Sequence, residues 1–153
     1  MTQIPRSTWI RALTAHPPSI VICLAAELSQ NLRYSHKSLP QDGLSMLKMQ
    51  DSVFGEAYYL GEFPISSAWI ELHFPDGRKM DGAALVMSDS TELAIALAIC
   101  DGVLAHEGPR SGDVATLVDE GMRIREEEDK VRNAMLAKTQ VNFAALSSEE
   151  VDE

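Results

Sequence analysis

The sequence predicts an α+β domain with an antiparallel sheet of about four strands and helices packed on it, in the order ααββββαα. Three observations support this fold class. Apolar stretches at helical spacing lie before and after the strands rather than between them. Residues 65–74 alternate apolar and polar, as a half-buried strand does. The turn sequence PDG at 75–77 joins that run to a second strand-like segment, which indicates an antiparallel hairpin.

Two helices are predicted at each end of the chain. They cover approximately residues 7–15, 19–31, 92–107 and 113–140. Pro17-Pro18 separates the first two, because the residue before a proline avoids the helical region. The second and third helices are apolar on nearly all sides, so we expect them to be buried in the interior or at an interface. The same argument predicts that Cys23 and Cys100 are buried free thiols.

Four strand segments are predicted between the helices. They cover approximately residues 34–37, 44–50, 57–74 and 78–87. The breaker LPQDG at 39–43 separates the first two, and a turn at Gly55 separates the second from the third. Gly61 and Pro64 indicate a bulge or bend within the third strand. In the second strand we expect Leu47 and Met49 to point inward.

The charge of the chain is uneven. Residues 1–87 hold 7 basic and 8 acidic side chains, whereas residues 88–153 hold 6 basic and 15 acidic ones, giving −10 for all 153 residues. Unassisted binding to nucleic acid is excluded, because phosphate contacts need a basic surface. A basic protein partner is not excluded. We expect one domain over residues 1–146 and a disordered acidic tail over 147–153.

We also expect a cytoplasmic protein. The chain has no apolar run of about 18 residues that could span a membrane. Its first residues do not have the pattern of a secretory signal.

The repeated Gly-Glu pairs raise the question of catalytic carboxylates. Glu56 and Glu62 are six residues apart, about 20 Å along a strand at about 3.3 Å per residue, too far for an acid–base pair. Trp69, Glu71 and His73 share one strand face, opposite an apolar row. A Glu-His pair on a strand can orient an imidazole or form half of a metal site, but no third ligand is near in sequence.

We therefore predict no catalytic residue and no metal site. The candidates for interface or structural roles are Gly61, Glu62, Trp69, Glu71, His73, Asp76 and Gly77. Two helices with apolar residues on too many sides, together with an exposed Trp69, indicate a subunit that binds another protein.

The order of features resembles the G subunit (PhnG) family of the bacterial carbon–phosphorus lyase core complex. The resemblance extends over most of the chain, from TWIRALTAHPP to VNFAAL. It rests on short motifs in a fixed order: Trp9, Leu13 and His16; Tyr34, Pro40 and Gly43; Gly55 to Glu62; Asp76-Gly77; Asp101; and the VNF of the last helix.

Two positions depart from the family pattern. Members tend to have Thr-Arg-Ala where this chain has Ser66-Ser67-Ala68, and Gly-Arg-Asp where it has Ser88-Asp89-Ser90. Both arginines are replaced, at Ser67 and Asp89. A serine or an aspartate cannot replace the charged bidentate fork of an arginine.

The resemblance implies a hetero-oligomeric complex with H-, I- and J-type subunits, chiefly I. Such a complex forms ribose 1-phosphonate 5-triphosphate from ATP and a phosphonate. The resemblance implies no cofactor in this chain, ATP as a substrate of the complex, and an iron–sulfur cluster with S-adenosylmethionine on the J-type subunit. This chain is then an accessory transferase subunit without its own catalytic centre.

Two alternatives stay open at this stage. One is a homo-oligomeric binding module, with a homodimer for the isolated chain. The other is a small enzyme that uses Glu71 and His73, with Trp69 stacking on a substrate ring.

Overall fold

The computed structural model describes residues 4–30 and 32–139. A 3-10 turn, Arg6–Thr8, opens the chain. The helices and strands are α1 (Trp9–Leu13), α2 (Pro18–Ser29), β1 (Arg33–Gln50), β2 (Ala57–His73), β3 (Lys79–Val86), α3 (Thr91–Ala105) and α4 (Ser111–Lys138). The α+β prediction is confirmed, with one antiparallel sheet in the order β1-β2-β3. The predicted acidic tail lies outside the described residues.

The sheet has three strands rather than the four we predicted, because residues 34–37 and 44–50 belong to the same strand, β1. The LPQDG segment does not break the strand. The pairing with β2 instead shifts register between His36 and Ser38 and between Ser38 and Gln41, so the extra residues form bulges. Pro40 is tolerated because β1 is an edge strand. Gly43 does not adopt the positive φ of a turn residue.

The two turns of the sheet lie where the sequence predicts them. Gly55 has φ 69° between β1 and β2, and Gly77 has φ 87° between β2 and β3. β3 pairs only with residues 66–73 of β2. The outer part of β2 therefore pairs with β1 alone. We call this two-stranded ribbon, residues 43–65, the arm.

Among the described residues, the helices pack on only one face of the sheet. Ala68, Ile70 and Leu72 of β2 alternate toward the helices and are buried, as predicted. They pack against α3, whose side chains are buried from Leu93 to Leu104 except Ile95. The prediction that the third helix and Cys100 are buried is confirmed.

Two glycines bring α3 against β3. A Cβ atom built on Gly82 of β3 would lie 2.1 Å from the carbonyl oxygen of Ala98, and one on Gly102 would lie 2.4 Å from Leu72 Cδ1. No other residue type fits at Gly82 without moving the helix backbone. The helix and the strand are therefore in backbone contact.

A buried carboxylate also holds α3 against β3. Asp101 of α3 is 5% exposed. It accepts two hydrogen bonds from Arg6, at 2.9 and 2.6 Å, and a third from the backbone N–H of Ala83, at 3.1 Å. Hydrogen bonding to Asp101 raises the pKa of the Arg6 guanidinium. One side chain thus joins the N-terminal turn, α3 and β3.

α4 crosses α1 at another close contact. A Cβ atom on Gly121 would lie 2.1 Å from the carbonyl oxygen of Ala12. Nε2 of His16 is 2.8 Å from the carbonyl oxygen of Leu117, and Arg125 donates to the carbonyl oxygen of Thr14 at 2.7 Å. The Arg125 bond satisfies a backbone carbonyl at the end of α1, and the His16 bond joins the residues after α1 to the backbone of α4.

The second helix is less buried than predicted. Val21, Ala25 and Leu28 face the core, whereas Ile20 is 45% exposed and Cys23 is exposed. The prediction that Cys23 is buried is wrong, because only one face of α2 packs on α3. Leu47 and Met49 are also exposed, contrary to expectation, since no described helix packs on that part of β1.

The Gly82 contact gives a stability prediction. Gly82→Ala should lower the free energy of unfolding by about 1–3 kcal/mol, because the new methyl group meets helix backbone that cannot rotate away. Urea denaturation measures the change. Gly43→Ala is the matched control: nothing lies within 4 Å of its Cβ position, and loss of chain entropy in the unfolded state should make it neutral or slightly stabilising. Equal effects of the two substitutions would contradict this account of the helix–strand contact.

Candidate functional site

Many of the large apolar side chains that the described residues expose lie in the arm. Nine large apolar side chains of the arm are at least two-fifths exposed: Leu44, Met46, Leu47, Met49, Val53, Phe54, Tyr58, Tyr59 and Leu60. Phe54, in the turn at the tip, is 84% exposed. Large apolar side chains exposed together in one part of a fold are typical of a protein–protein interface.

Both faces of the arm are apolar. Cross-strand partners lie on the same side of a sheet, and side chains alternate sides along a strand. Leu44 and Met46, opposite Pro64 and Glu62, continue the helix-packed face, while Leu47 continues the other. A ribbon with two apolar faces and no third strand is marginal in water by itself. A protein partner that contacts both faces would stabilise the arm.

Gly61 and Glu62 lie in the middle of the arm. The pairing passes from Leu47 opposite Gly61 to Lys48 opposite Tyr59, which leaves Leu60 as the extra residue of a bulge. The predicted bulge is therefore next to Gly61, whereas Pro64 pairs with Leu44 without a shift. Glu62 is exposed beside Met46.

Trp69, Glu71 and His73 share the face of the sheet opposite the helices, as predicted. We call it the open face, because no described helix covers it and Trp69 is 47% exposed there. Lys37 lies 5.3 Å from the centre of the Trp69 ring and forms an ion pair with Asp81 at 2.7 Å. Hydrogen bonding from Lys37 lowers the pKa of the Asp81 carboxyl.

The geometry around His73 is not that of a nucleophilic triad. His73 Nε2 is 3.2 Å from Glu71 Oε1 and 3.1 Å from Ser35 Oγ. In a triad the carboxylate binds one ring nitrogen and the hydroxyl binds the other. Here Glu71 and Ser35 both contact Nε2 of His73. The Lys79 ammonium also forms an ion pair with Glu71 Oε1 at 3.2 Å. The arrangement is a polar network on an exposed sheet face.

Asp76 and Gly77 form the hairpin at the far end of β2 from the arm. The backbone N–H of Arg78 donates to Asp76 Oδ1 at 3.0 Å, and this bond lowers the pKa of the carboxyl. The Arg78 side chain pairs with Asp76 Oδ2 at 2.6 Å. These contacts stabilise the turn. The seven candidate residues lie in three separate places: the arm, the open face and this hairpin.

Ser67 and Asp89 lie next to two residues that are joined directly. Ser66 Oγ donates to the carbonyl oxygen of Ser88 at 2.8 Å. The two departures from the family pattern therefore fall at one place, where β2 passes the loop before α3. Asp42 also contacts this place through Thr91, and the nearby hydroxyls of Ser66 and Thr91 lower the pKa of its carboxyl.

The described residues do not include a group of three or more metal-ligating side chains. Among them, no single helix has the length and apolar composition to cross a bilayer; only the bent pair Arg6–Leu13 and Pro18–Ser29 meets both criteria together.

Sequence reasoning missed the arm as an exposed apolar surface. A signal for it is present: LSMLKMQ and AYYLGEF carry apolar residues at both odd and even positions, which a half-buried strand does not. Such a pattern predicts a strand that is covered on both faces.

The family model described as phosphonate metabolism protein PhnG matches residues 4–147. The chain belongs to the PhnG family. The match confirms the resemblance. Membership of this family indicates that the protein takes part in phosphonate metabolism. No curated protein matches the chain.

The two cysteines give a prediction about reactivity. Burial raises the pKa of the Cys100 thiol to about 12, so Cys100 stays protonated at pH 8, and it is enclosed in the core. Cys23 is exposed. A thiol reagent should therefore modify one cysteine in the native PhnG chain and two in denaturant, with Cys23→Ser abolishing the native reaction. Fast native modification of Cys100 would show that α3 is not buried as described.

Proposed function

We propose that this PhnG chain is a non-catalytic subunit of a carbon–phosphorus lyase complex. In this proposal it supports formation of ribose 1-phosphonate 5-triphosphate from ATP and a phosphonate, in the cytoplasm. Membership of the PhnG family supports the process, and the sequence resemblance supports the specific reaction. ATP is then a substrate of the complex, and the iron–sulfur cluster and S-adenosylmethionine belong to the J-type subunit.

The observation that supports this proposal best is the arm. An isolated two-stranded ribbon has too little packing to be stable by itself, and this one exposes apolar side chains on both faces. The free energy of covering them favours association with another protein surface. We assign that surface to a different subunit, chiefly the I type, with H and J completing the complex.

The side chains of the described residues also agree with an accessory role. His73 shares one nitrogen between Ser35 and Glu71, and the Cys100 thiol is buried with a raised pKa. Neither arrangement activates a nucleophile. The reaction is therefore assigned to the partner.

Substitutions in the arm test the proposal. Leu44→Ser with Met46→Ser should weaken binding to the co-expressed I-type subunit by about 2–4 kcal/mol, or roughly 30- to 1,000-fold in Kd, because both apolar side chains lose their buried environment. Surface plasmon resonance measures this. Both side chains are exposed in the lone chain, so its folding should change little.

Ile20→Ser, at a similarly exposed apolar residue on α2, is the control and should change the Kd by less than about twofold. If the chain and the I-type subunit never co-elute, the proposal is wrong. A stable homodimer of the lone chain would favour the homo-oligomeric module instead. Turnover by the pure chain that is lost in Glu71→Gln or His73→Ala would favour the small enzyme.

A further inference from the structure

The outer edge of β1 has no neighbouring strand in the part of the chain that the structure describes, because β1 is the first strand of the sheet order. Each residue of an antiparallel strand directs its backbone groups to one side or the other in turn. Along the arm, β1 therefore presents every second pair of N–H and C=O groups away from β2. Such an edge is a template for another strand.

The inner and outer halves of this edge differ. The inner half has two register shifts, on either side of Ser38, and it includes Pro40. Bulges and prolines are common devices that prevent a further strand from pairing. Residues 43–47, by contrast, pair with β2 without a shift, and Lys48 is the one charged side chain of β1 beyond them. The edge is protected where it lies beside the core and open along the arm.

We propose that residues 43–47 of β1 receive an extended segment of a different, basic chain as a fourth strand. The inference rests on the proposed function and adds the binding mode. Backbone hydrogen bonds to the edge hold the segment. Its alternate side chains extend both apolar faces of the arm, next to Leu44 and Met46 on one face and Leu47 on the other.

Charge favours a different chain over a second copy. The arm contains Asp51, Glu56 and Glu62 but only one basic residue, Lys48, and the whole chain carries −10. Pairing two copies would bring two acidic arms together. A segment with lysine or arginine beside its apolar residues would meet opposite charge at the exposed Glu62.

Amide hydrogen exchange tests this binding mode directly. In the lone chain, every second amide of residues 43–47 should exchange fast, because it points away from β2. In the complex with the co-expressed I-type subunit, these same amides should slow by at least about 100-fold. The amides of residues 69–72 on β2, which pairs there with β1 on one side and β3 on the other, serve as the internal reference. Fragmentation mass spectrometry that resolves single amides reads the pattern.

The outcomes of this experiment separate strand addition, the proposed function and the identity of the partner. If the complex forms and the alternate amides still exchange fast, strand addition is wrong while the proposed function stands. If no complex forms, both are wrong. If the amides become protected in the lone chain as its concentration rises, a second copy occupies the edge and the basic partner is wrong.

A charge reversal tests the chemistry of the partner. Glu62→Lys should raise the Kd for the I-type subunit by roughly threefold to tenfold, more at low salt than at high salt, because exposed ion pairs are weak and screened. Glu120→Lys, at an exposed acid on α4, is the control with the same change of net charge. Tighter binding by Glu62→Lys, or equal weakening by both variants, would overturn the basic character of the partner segment.

Discussion

The backbone contact between Gly82 of β3 and Gly102 of α3 is the constraint on which the rest of this structure depends. It lets an almost entirely apolar helix lie directly on the sheet, and Asp101 fastens it through Arg6 and the N–H of Ala83. α2 and α4 then pack on α3 rather than on the sheet, and α1 packs mainly on α4. Because this stack lies on one face, a single hydrophobic core forms there.

The same arrangement determines which surfaces remain uncovered. With the helices on one face of a three-stranded sheet, the opposite face carries a polar network around Glu71 and His73 beside an exposed Trp69. α3 is also shorter than β1 and β2, so the outer parts of these strands project past it as the arm. The arm combines apolar faces, an open strand edge and an acidic balance of charge. These three properties together fit a partner protein better than a small substrate.

Sequence reasoning succeeded where local chemistry decides the structure. Burial of α3 follows from its composition, and the turn at Gly77 follows from Asp76-Gly77. It failed where tertiary packing decides. LPQDG became a bulged part of one edge strand because no described strand pairs with the outer side of β1. Cys23 is exposed because it lies outside the face of α2 that packs on the core, where Val21, Ala25 and Leu28 are buried. The arm could not be located without knowing how far β3 and α3 extend, although its two-sided apolar pattern was visible.

The central claim is that another chain covers the arm in the functional complex. Hydroxyl-radical footprinting of the complex purified from its native cell tests it most directly, because methionine and tyrosine react readily where water reaches them. Relative to the lone chain, oxidation of Met46, Met49 and Tyr59 should fall at least about fivefold in the complex, while that of Met135 on α4 serves as the reference. Equal oxidation of the three arm residues in both samples would contradict the account.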